Sequence, residues 1–494
     1  MMTLREMAQC LGALESSGTK HTHWLPESAL DRAPARFCLD SREVGPDDVF
    51  ICLHGENVDG HDFARQAAER GALALIAEKD PQDIFDGETP PLAVLRVESS
   101  LAAITALASA WRERAASAGT VVVGVTGTAG KTSVKEALAA VLERHGKTAK
   151  NFMNMNNQLG LPVNMLNAPA DAVFWVMEAG INEAHDMDEL GALLRPDLAV
   201  ILNVGPGHLS GLGGPNSRGV PYYKSRLLAY VNQAGPCGRA LINADYPDLL
   251  RESRSYALPQ SLFSTKRADA DYRASYVGPV STATGKYQVQ LREADGSLRT
   301  FDVAAPFRGS FGSENVAAIA GAAHILGLSP EEITAGLAQA AMPRQRFSCR
   351  TYKNTMVIDD SYNSNPLSAS RMLEAAVEMA AEKKLPLFLV MGEMLELGEE
   401  AEEIHLQLGR NMAKTGAKLV LWKGGQADSV REGLKQGDFT GEFKVTQELN
   451  EFLDAICSAH KQAGACGVVL FKGSRGNRLE RFVAGFQNEL GKNL

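Results

Sequence analysis

The residues best suited to chemistry are a lysine and two hydroxyls, Lys131, Thr132 and Ser133, which open a helical pattern. They follow a β-branched strand pattern that begins at Val121 and a turn with glycines at 127 and 130. The N–H groups of such a turn and the positive end of the next helix surround an anion. Lysine adds a charge for phosphate oxygens, and threonine adds a hydroxyl ligand for Mg²⁺. The stretch therefore predicts a nucleotide phosphate site.

This phosphate loop is a variant of the strict pattern, because Val125 stands where a glycine is expected. A Gly-rich strand–helix turn that binds nothing is the alternative, but the Gly-Lys-Thr triplet after a clear strand favours phosphate. We expect the N–H groups of 127–132 to hold the β- and γ-phosphates. The residues predicted to line the nucleotide are Gly127, Thr128, Ala129, Gly130, Lys131, Thr132 and Ser133.

Two further candidates follow strand patterns. Glu178 ends the strand at 173–177, and His208 lies just beyond the strand at 198–202. Strands that alternate with helices predict a parallel sheet with right-handed crossovers, in which ligands lie beyond the carboxyl ends of the strands. Glu178 and His208 are thus predicted to share an edge with the phosphate loop and to hold a metal ion. The alternatives are a structural carboxylate and a satisfied loop histidine.

Length and composition limit the class of protein. The 494 residues suggest about three domains. A net charge of −9 argues against a dedicated binder of nucleic acid or anionic membrane. The seven cysteines form no CxxC pair and are interpreted as reduced cytosolic thiols. Neither a signal peptide nor an apolar run of membrane-spanning length is found. We expect a soluble cytoplasmic protein.

The strand and helix patterns predict an α/β fold in three parts, at 1–117, 118–342 and 343–494. Alternating residues at 287–303 predict an antiparallel ribbon added to the parallel sheet of the second part. In the third part, Asn365 is the expected N-cap of a helix with Pro366 in its first position. In the first part, Ser41 and Arg42 are candidates to bind a phosphate or carboxylate, unless they form a capped turn with a solvated arginine.

Several motifs in chain order resemble the Mur ligase family, the ATP-dependent amide-forming enzymes of peptidoglycan assembly. The motifs are the phosphate loop, Asp40-Ser-Arg42 with Asp59-Gly-His-Asp-Phe63, Asn156-Asn157 with Gly160-Leu-Pro162, Asp359-Asp-Ser-Tyr-Asn-Ser-Asn-Pro366, Gly392-Glu-Met-Leu-Glu-Leu-Gly-Glu399 and Lys472-Gly-Ser-Arg475. The resemblance covers nearly the whole chain. It implies a small α/β uridine-nucleotide-binding domain, a central P-loop ATPase domain, and a C-terminal Rossmann-like domain that closes on the nucleotide.

Within the family, the motifs imply the member that joins D-alanyl-D-alanine to UDP-N-acetylmuramoyl-tripeptide through an acyl phosphate. The implied cofactors are ATP and two Mg²⁺ ions, and the expected state is a monomer in the bacterial cytoplasm. A sibling ligase that adds a diamino acid to the dipeptide precursor, and a non-catalytic P-loop nucleotide-binding regulator, remain as alternatives. Folylpolyglutamate synthetase shares the core but lacks the first domain that residues 36–80 indicate.

The resemblance also implies roles for individual residues. Lys224 is the implied carbamylated lysine, which would orient a metal together with Glu178 and His208. Asn315 is implied for adenine, Arg346 for phosphate and Asp360 for a ribose hydroxyl. The residues implied for substrates are Ser41, Arg42, Asn156 and Asn157 for the uridine nucleotide and its peptide, and Asn363, Ser364, Asn365, Lys472, Ser474 and Arg475 for the dipeptide.

Three positions depart from the family pattern. Phe311 stands where the family has a histidine, and Glu393 stands where it has an aspartate. Lys224 lies in Tyr-Tyr-Lys-Ser-Arg rather than in the usual Ala-Lys-x-Glu context. A Gly-rich insert at 211–219 follows His208. The lysine is therefore identified by its position after His208 and before a predicted helical stretch.

Overall fold

The computed structural model describes residues 1–12, 23–55, 58–205, 209–212 and 217–492. The chain packs as two compact units, and strand β5 (Val121–Thr126) belongs partly to each of them. The first unit comprises Met1–Gly124, Gly146–Ala179 and Asp188–Pro196, and the second comprises Val125–His145, Gly180–Met187 and Asp197–Leu494.

The N-terminal part of the first unit is built on a parallel sheet with the strand order β1-β2-β3-β4. Buried Phe50, Leu75 and Val94 lie in the core on this sheet. A long helix follows this sheet and begins at Ser100, with Ser99 as its N-cap. The elements are α1 (Leu4–Cys10), α2 (Glu27–Leu30), β1 (Phe37–Cys38), β2 (Val49–Ile51), α3 (Ala64–Glu69), β3 (Ala74–Ala77), α4 (Pro81–Ile84), β4 (Ala93–Arg96) and α5 (Ser100–Ser117).

The next part of the chain alternates strands and helices, as predicted. Its elements are α6 (Lys131–Leu142), β6 (Thr148–Lys150), α7 (Gly160–Asn167), β7 (Phe174–Glu178), α8 (Asp186–Leu194), β8 (Leu198–Ile201), α9 (Leu209–Leu212), α10 (Gly219–Ser225), β9 (Arg239–Asn243), α11 (Pro247–Ser253), β10 (Gln260–Ser264), β11 (Tyr272–Pro279), β12 (Gly285–Arg292), β13 (Leu298–Ala305), α12 (Gly312–Ile325) and α13 (Pro330–Gln339).

Strands β8 to β13 of the second unit are neighbours in chain order. Strands β8, β9, β10 and β11 run parallel, whereas β11, β12 and β13 are antiparallel. The predicted ribbon is therefore confirmed. The alternating side chains Tyr287, Val289 and Leu291 are completely buried, because one face of the ribbon packs against α12. A hydroxyl is included in this core because Tyr287 donates to the carbonyl of Gly309 at 3.0 Å.

The C-terminal part of the second unit is a sheet in the order β14-β15-β19-β16-β17-β18, with apolar clusters on both faces. Only β14 is antiparallel to its neighbour. The elements are β14 (Ser348–Tyr352), β15 (Thr355–Asp360), α14 (Pro366–Lys383), β16 (Leu387–Gly392), α15 (Ala401–Ala413), β17 (Leu419–Lys423), α16 (Ala427–Gln436), β18 (Glu442–Val445), α17 (Leu449–Gln462), β19 (Gly467–Lys472) and α18 (Glu480–Lys492).

The α/β class and the parallel sheets are as predicted, and α14 begins as predicted, with Asn365 as N-cap and Pro366 in the first turn. The edge strands β14 and β18 were not predicted, since all of their side chains are at least partly exposed and the strands are only five and four residues long. The division at 117 and 342 stays a prediction. None of the helices in the described ranges is long and apolar enough to cross a membrane.

Candidate active site

The phosphate loop leads directly into α6. Gly130 is the N-cap residue of this helix and has a φ of +82°, a left-handed conformation that favours glycine. A Cβ atom at this position would lie 2.8 Å from Oδ1 of Asn315. No side chain caps the helix, so its first turn of N–H groups lies directly beside the loop. This is the geometry that binds phosphate at a helix N-terminus.

Two N–H groups of the loop donate to the protein instead. The N–H of Thr128 donates to the carbonyl of Asn203 at 3.1 Å, and that of Ala129 donates to Oδ1 of Asn203 at 2.8 Å. Nδ2 of Asn203 donates back to the carbonyl of Ala129 at 2.9 Å. The prediction that every N–H of 127–132 holds phosphate is therefore wrong for Thr128 and Ala129, which fix the shape of the loop.

The three polar residues that start α6 differ in exposure. Thr132 is buried, whereas Lys131 and Ser133 are half-buried. Nζ of Lys131 donates to the carbonyl of Gly127 at 2.8 Å, so the ammonium folds back over the loop. The predicted phosphate-binding charge thus lies at the loop itself, with a carbonyl as one partner.

Asn315, implied for adenine, lies in the first turn of α12 and is 5% exposed. Its Oδ1 is buried and accepts no hydrogen bond from the described part of the protein. The side chain of Asn315 faces Gly130 of the phosphate loop. A buried acceptor without a donor at a phosphate loop suits a ligand that brings an N–H group.

Lys224 lies in the last turn of α10 and is 1% exposed, and the helical stretch predicted after it is present. A short 3₁₀ helix at Arg226–Tyr230 follows it. His208 lies outside the described residues, as does part of the insert at 211–219. Among the described residues, no three His, Cys, Asp or Glu side chains are grouped as metal ligands.

Glu178, in the first unit, ends β7 and is 1% exposed. Its Oε1 accepts a hydrogen bond from Nδ2 of Asn156 at 2.6 Å. Its backbone N–H donates to Oδ1 of Asn151 at 2.9 Å, so the strand end is fixed. Asn157 accepts from the N–H of Gly160 at 2.9 Å and closes the turn into α7. Asn156 therefore orients the carboxylate, and Asn157 shapes the loop.

Ser41 and Arg42, also in the first unit, each have an internal partner. The hydroxyl of buried Ser41 donates to Gln66 at 2.7 Å. The exposed guanidinium of Arg42 lies 2.6 Å from the carboxylate of Asp40 and lowers the pKa of Asp40 to about 2. The N–H of Arg42 also donates to Asp40 at 2.9 Å. These contacts form the capped turn that was the alternative, on a face where Arg42 is accessible.

A buried ion pair joins two strand ends of the C-terminal sheet. Nζ of Lys472 lies 2.6 Å from Oδ2 of Asp360 and donates to the carbonyl of Asn363 at 3.0 Å. Burial lowers the pKa of Lys472, and Asp360 opposes this effect. Oδ1 of Asp360 accepts from the N–H of Phe347 at 2.9 Å. Lys472 thus supports the loop after β15 from beneath.

That loop carries the side chains predicted to face a dipeptide. Asn363 is exposed, and the hydroxyl of Ser364 is buried without a partner among the described residues. The hydroxyl of Ser474 donates to the carbonyl of Ser364 at 3.3 Å and accepts from the N–H of Leu395 at 3.0 Å. Loops from three adjacent strands therefore meet at Ser474.

Two arginines lie against the ring of Tyr362 in this loop. The guanidinium carbon of Arg346 is 4.2 Å from the ring centroid, and that of Arg475 is 5.5 Å from it. Cation–π contacts of this kind hold arginines in place while their N–H groups stay available. The side chain of Arg475 is 60% exposed. The predicted phosphate contact and the predicted dipeptide contact thus share one aromatic platform.

Asn365 connects this loop to the phosphate loop. Its Nδ2 donates to the carbonyl of Thr128 at 3.0 Å, and its Oδ1 caps α14 through the N–H of Ser368 at 2.9 Å. Both ends of the amide are used within the protein. Asn363 and Ser364 are therefore better candidates than Asn365 for the predicted contact with the dipeptide.

The sequence reasoning missed Asn203, Glu314 and Arg371. Asn203 follows β8 and is a polar residue at the carboxyl end of a strand, as Glu178 is. This position in the sequence could have identified it. Nδ2 of Asn203 also donates to Oε1 of Glu314 at 2.7 Å. Arg371 donates to Glu314 at 2.6 Å and lies 57 positions later in the sequence, on α14. No local sequence pattern predicts such a pair.

Three family models match successive parts of the chain. Residues 37–112 match the Mur ligase family, catalytic domain; residues 125–323 match the Mur ligase middle domain; and residues 345–475 match the Mur ligase, glutamate ligase domain. The three matches follow the order of the three predicted domains.

Similar proteins share nearly the full length. The UDP-N-acetylmuramoyl-tripeptide–D-alanyl-D-alanine ligase of Escherichia coli (strain K12) is 32% identical over 451 residues, 91% of this chain and 92% of the relative. The crystal structure of MurF from Acinetobacter baumannii superposes with a TM-score of 0.81 at 26% identity over 98% of each chain. MurF ligase from Thermotoga maritima in complex with ADP gives 0.73 at 28% identity, over 93% of this chain and 98% of that one. The chain belongs to the Mur ligase family.

Proposed function

We propose that this chain joins D-alanyl-D-alanine to UDP-N-acetylmuramoyl-tripeptide, with ATP converted to ADP and phosphate, in the synthesis of a peptidoglycan precursor. The observation that carries the proposal is the contact of Asn365 with Thr128, which brings the strand-end loops of the C-terminal sheet against the phosphate loop. The name of the Escherichia coli relative supports the choice of substrates.

A carboxylate is a poor electrophile, so it must first be activated by phosphoryl transfer. The phosphate loop and the amine-binding loops then have to meet, because an acyl phosphate formed at one must be attacked by an amine held at the other. Catalysis of this kind rests on positioning and charge neutralisation. Lys131 and the N–H groups that begin α6 neutralise the β- and γ-phosphates, and Asn203 keeps the loop in the required shape.

Mg²⁺ suits the oxygens of the Thr132 hydroxyl, the Glu178 carboxylate and a carbamate on Lys224, and when bound it would neutralise the charge between two anions. Thr132 would hold one ion. A second would be held by Glu178, His208 and Lys224, with Lys224 carbamylated. Glu178 and Lys224 are each 1% exposed, so both are shielded from solvent, as ligands of an enclosed metal site would be, and this supports the assignment.

The remaining residues bind the organic parts of the substrates. Asn315 contacts adenine, Arg346 contacts phosphate and Asp360 accepts from a ribose hydroxyl, since its carboxylate retains acceptor capacity beyond Phe347 and Lys472. Ser41, Arg42, Asn156 and Asn157 serve the uridine substrate. Asn363, Ser364, Ser474 and Arg475 face the dipeptide, and Asn365 and Lys472 support them. The protein acts as a monomer in the bacterial cytoplasm, with the three domains 1–117, 118–342 and 343–494.

The test is release of ADP in the presence of UDP-N-acetylmuramoyl-tripeptide, with and without D-alanyl-D-alanine. We expect release to depend on both substrates and the product to be the uridine pentapeptide. A diamino acid with the uridine dipeptide tests the sibling ligase, which is not favoured by the names of the relatives. ADP release without any amine requirement would indicate the nucleotide-binding regulator. Tripeptides with lysine or diaminopimelate at the third position then define the natural substrate.

A further inference from the structure

A buried hydrogen-bond network connects the phosphate loop to α14. Asn203, which is completely buried, grips the peptide unit of Ala129 and donates to Oε1 of Glu314 at 2.7 Å. Oε2 of Glu314 accepts from Arg371 at 2.6 Å and from the hydroxyl of Tyr246 at 3.2 Å. Arg371 also donates to Tyr246 at 2.8 Å.

The carboxylate of Glu314 is the centre of this hydrogen-bond network. It is 7% exposed, and its two oxygens together accept three hydrogen bonds. A buried carboxylate is stable only when a positive charge pairs with it. Within the described residues, the salt bridge formed by Glu314 is the one with Arg371. The ion pair therefore links α14, which carries Arg371, to α12, which carries Glu314.

Every hydrogen-bonding group of the Asn203 side chain has a partner, so the side chain is held in one orientation. Its Oδ1 and one N–H hold Ala129, and its second N–H has Glu314 as acceptor. An amide has two N–H donors, so each has a partner. If Glu314 loses its arginine, the carboxylate must take up a proton or draw in water. Either change weakens its hold on Asn203, and hence on the Ala129 peptide.

We infer that Glu314 and Arg371 are positioning residues that couple the docking of α14 to the shape of the phosphate loop. Neither residue is assigned a contact with nucleotide. Arg371 completes the charge pair from the C-terminal part of the chain, and Asn203 transmits its presence to the loop. The phosphate loop therefore takes its binding geometry when α14 is docked. The inference rests on the use of ATP in the proposed function, and it holds for any amine substrate.

A second ion pair on the same helix provides a matched control. Arg308 pairs with Glu382 at 2.7 Å near the C-terminal end of α14, and its side chain is 1% exposed. This pair also joins α14 to the preceding part of the chain. The guanidinium of Arg308 donates to Glu382 and to the hydroxyl of Tyr276. Neither of these contacts involves Asn203. Loss of Arg308 therefore loosens the same helix without reaching the phosphate loop.

The experiment measures the dissociation constants of ATP and ADP by calorimetry for the full chain, with melting temperatures for each variant. We expect Arg371→Met to weaken both nucleotides at least tenfold, Arg371→Lys to recover most of this loss, and Arg308→Met to change affinity less than twofold at a comparable loss of melting temperature. The double variant Glu314→Gln with Arg371→Met should bind no more weakly than Arg371→Met alone, because it removes the unpaired charge.

Equal nucleotide affinity of Arg371→Met and Arg308→Met would overturn the inference, as would additive losses in the double variant. If Arg371→Met does not fold, Glu314→Gln is compared with Arg308→Lys in the same assay, and equal affinities again overturn the inference. Failure of the wild-type chain to bind ATP would refute the proposed function instead, and failure of the dipeptide assay alone leaves this inference intact.

Discussion

Nδ2 of Asn365 donates to the carbonyl of Thr128 at 3.0 Å while Oδ1 of the same side chain caps α14. One amide thus begins a helix and contacts the phosphate loop. Asn365→Asp keeps the capping oxygen but has no donor for Thr128. We expect this variant to retain its stability and to lose at least tenfold in kcat, measured by ADP release. Asn365→Ala should lose both, with a cost in stability of about 1 kcal/mol.

Ser329 offers the matched control, because it caps α13 with the same capping box. Ser329→Ala should cost about 1 kcal/mol of stability by denaturant titration. Its kcat should remain within twofold of the wild-type value. If Ser329→Ala and Asn365→Asp reduce kcat equally, the contact with Thr128 has no special role in turnover.

Gly130→Ala is expected to damage the nucleotide site. The new Cβ would meet Oδ1 of Asn315 at 2.8 Å on a residue with a φ of +82°. We expect the KM for ATP to rise at least tenfold. Gly327→Ala is the control, since its φ is +91° and no atom of the described residues lies within 4 Å of its Cβ position. It should cost about 1 kcal/mol of stability from backbone strain alone. Normal ATP kinetics in Gly130→Ala would contradict the assigned loop geometry.

Glu178→Gln should abolish ligation and preserve binding of the uridine substrate. The amide keeps the shape of the side chain but loses the charge that the proposed metal site requires. Calorimetry with the uridine tripeptide and an assay of pentapeptide formation measure the two effects. Asp197→Asn is the control, because Asp197 is equally buried at 1% exposure but lies at the amino end of β8. Turnover in Glu178→Gln equal to that in Asp197→Asn would refute the assignment.

Lys224→Ala should lose at least a hundredfold in kcat and recover part of it with bicarbonate or a short carboxylate. The added anion would replace the carbamate that the proposal places on this buried amine. Lys135→Met is the control, since Lys135 is completely buried on α6 and pairs with Glu136 at 3.0 Å. Any loss in that variant should resist rescue. Full activity of Lys224→Ala would exclude a role for this lysine.

Acid should destabilise the fold through His405. Its Nε2 accepts from the N–H of Met394 at 3.0 Å, and burial lowers its pKa. As the pH falls below about 6.5, the unfolded chain takes up a proton that the folded histidine resists. Stability is therefore lost with falling pH, by up to about 1.4 kcal/mol per pH unit for one histidine.

Denaturant titrations between pH 7.5 and 5 measure this effect. His405→Gln does not titrate and should show a shallower loss of stability with acid. The exposed His185 is the control, and His185→Gln should follow the wild-type curve. Identical slopes for His405→Gln and the wild-type chain would show that His405 does not contribute to the acid sensitivity.

The sequence predicted what depends on local pattern. The phosphate loop, the buried strands and the start of α14 follow from residue type and spacing, since each is encoded within a few residues. The edge strands β14 and β18 are short and exposed, so no run of buried apolar residues marks them. Long-range partners were also missed. Three hydrogen bonds join residues more than 70 positions apart in the sequence: Asn365 with Thr128, Lys472 with Asp360, and Ala129 with Asn203.

The chain of contacts through Asn203 also limits how this protein can evolve. Aspartate at this position would lack the donors, glutamine would be too long, and leucine would lack both functions. Glu314 and Arg371 face a different limit, because a change at one leaves a buried charge at the other. Drift in this part of the protein is therefore confined to paired substitutions, and residues 314 and 371 are expected to covary across homologous sequences.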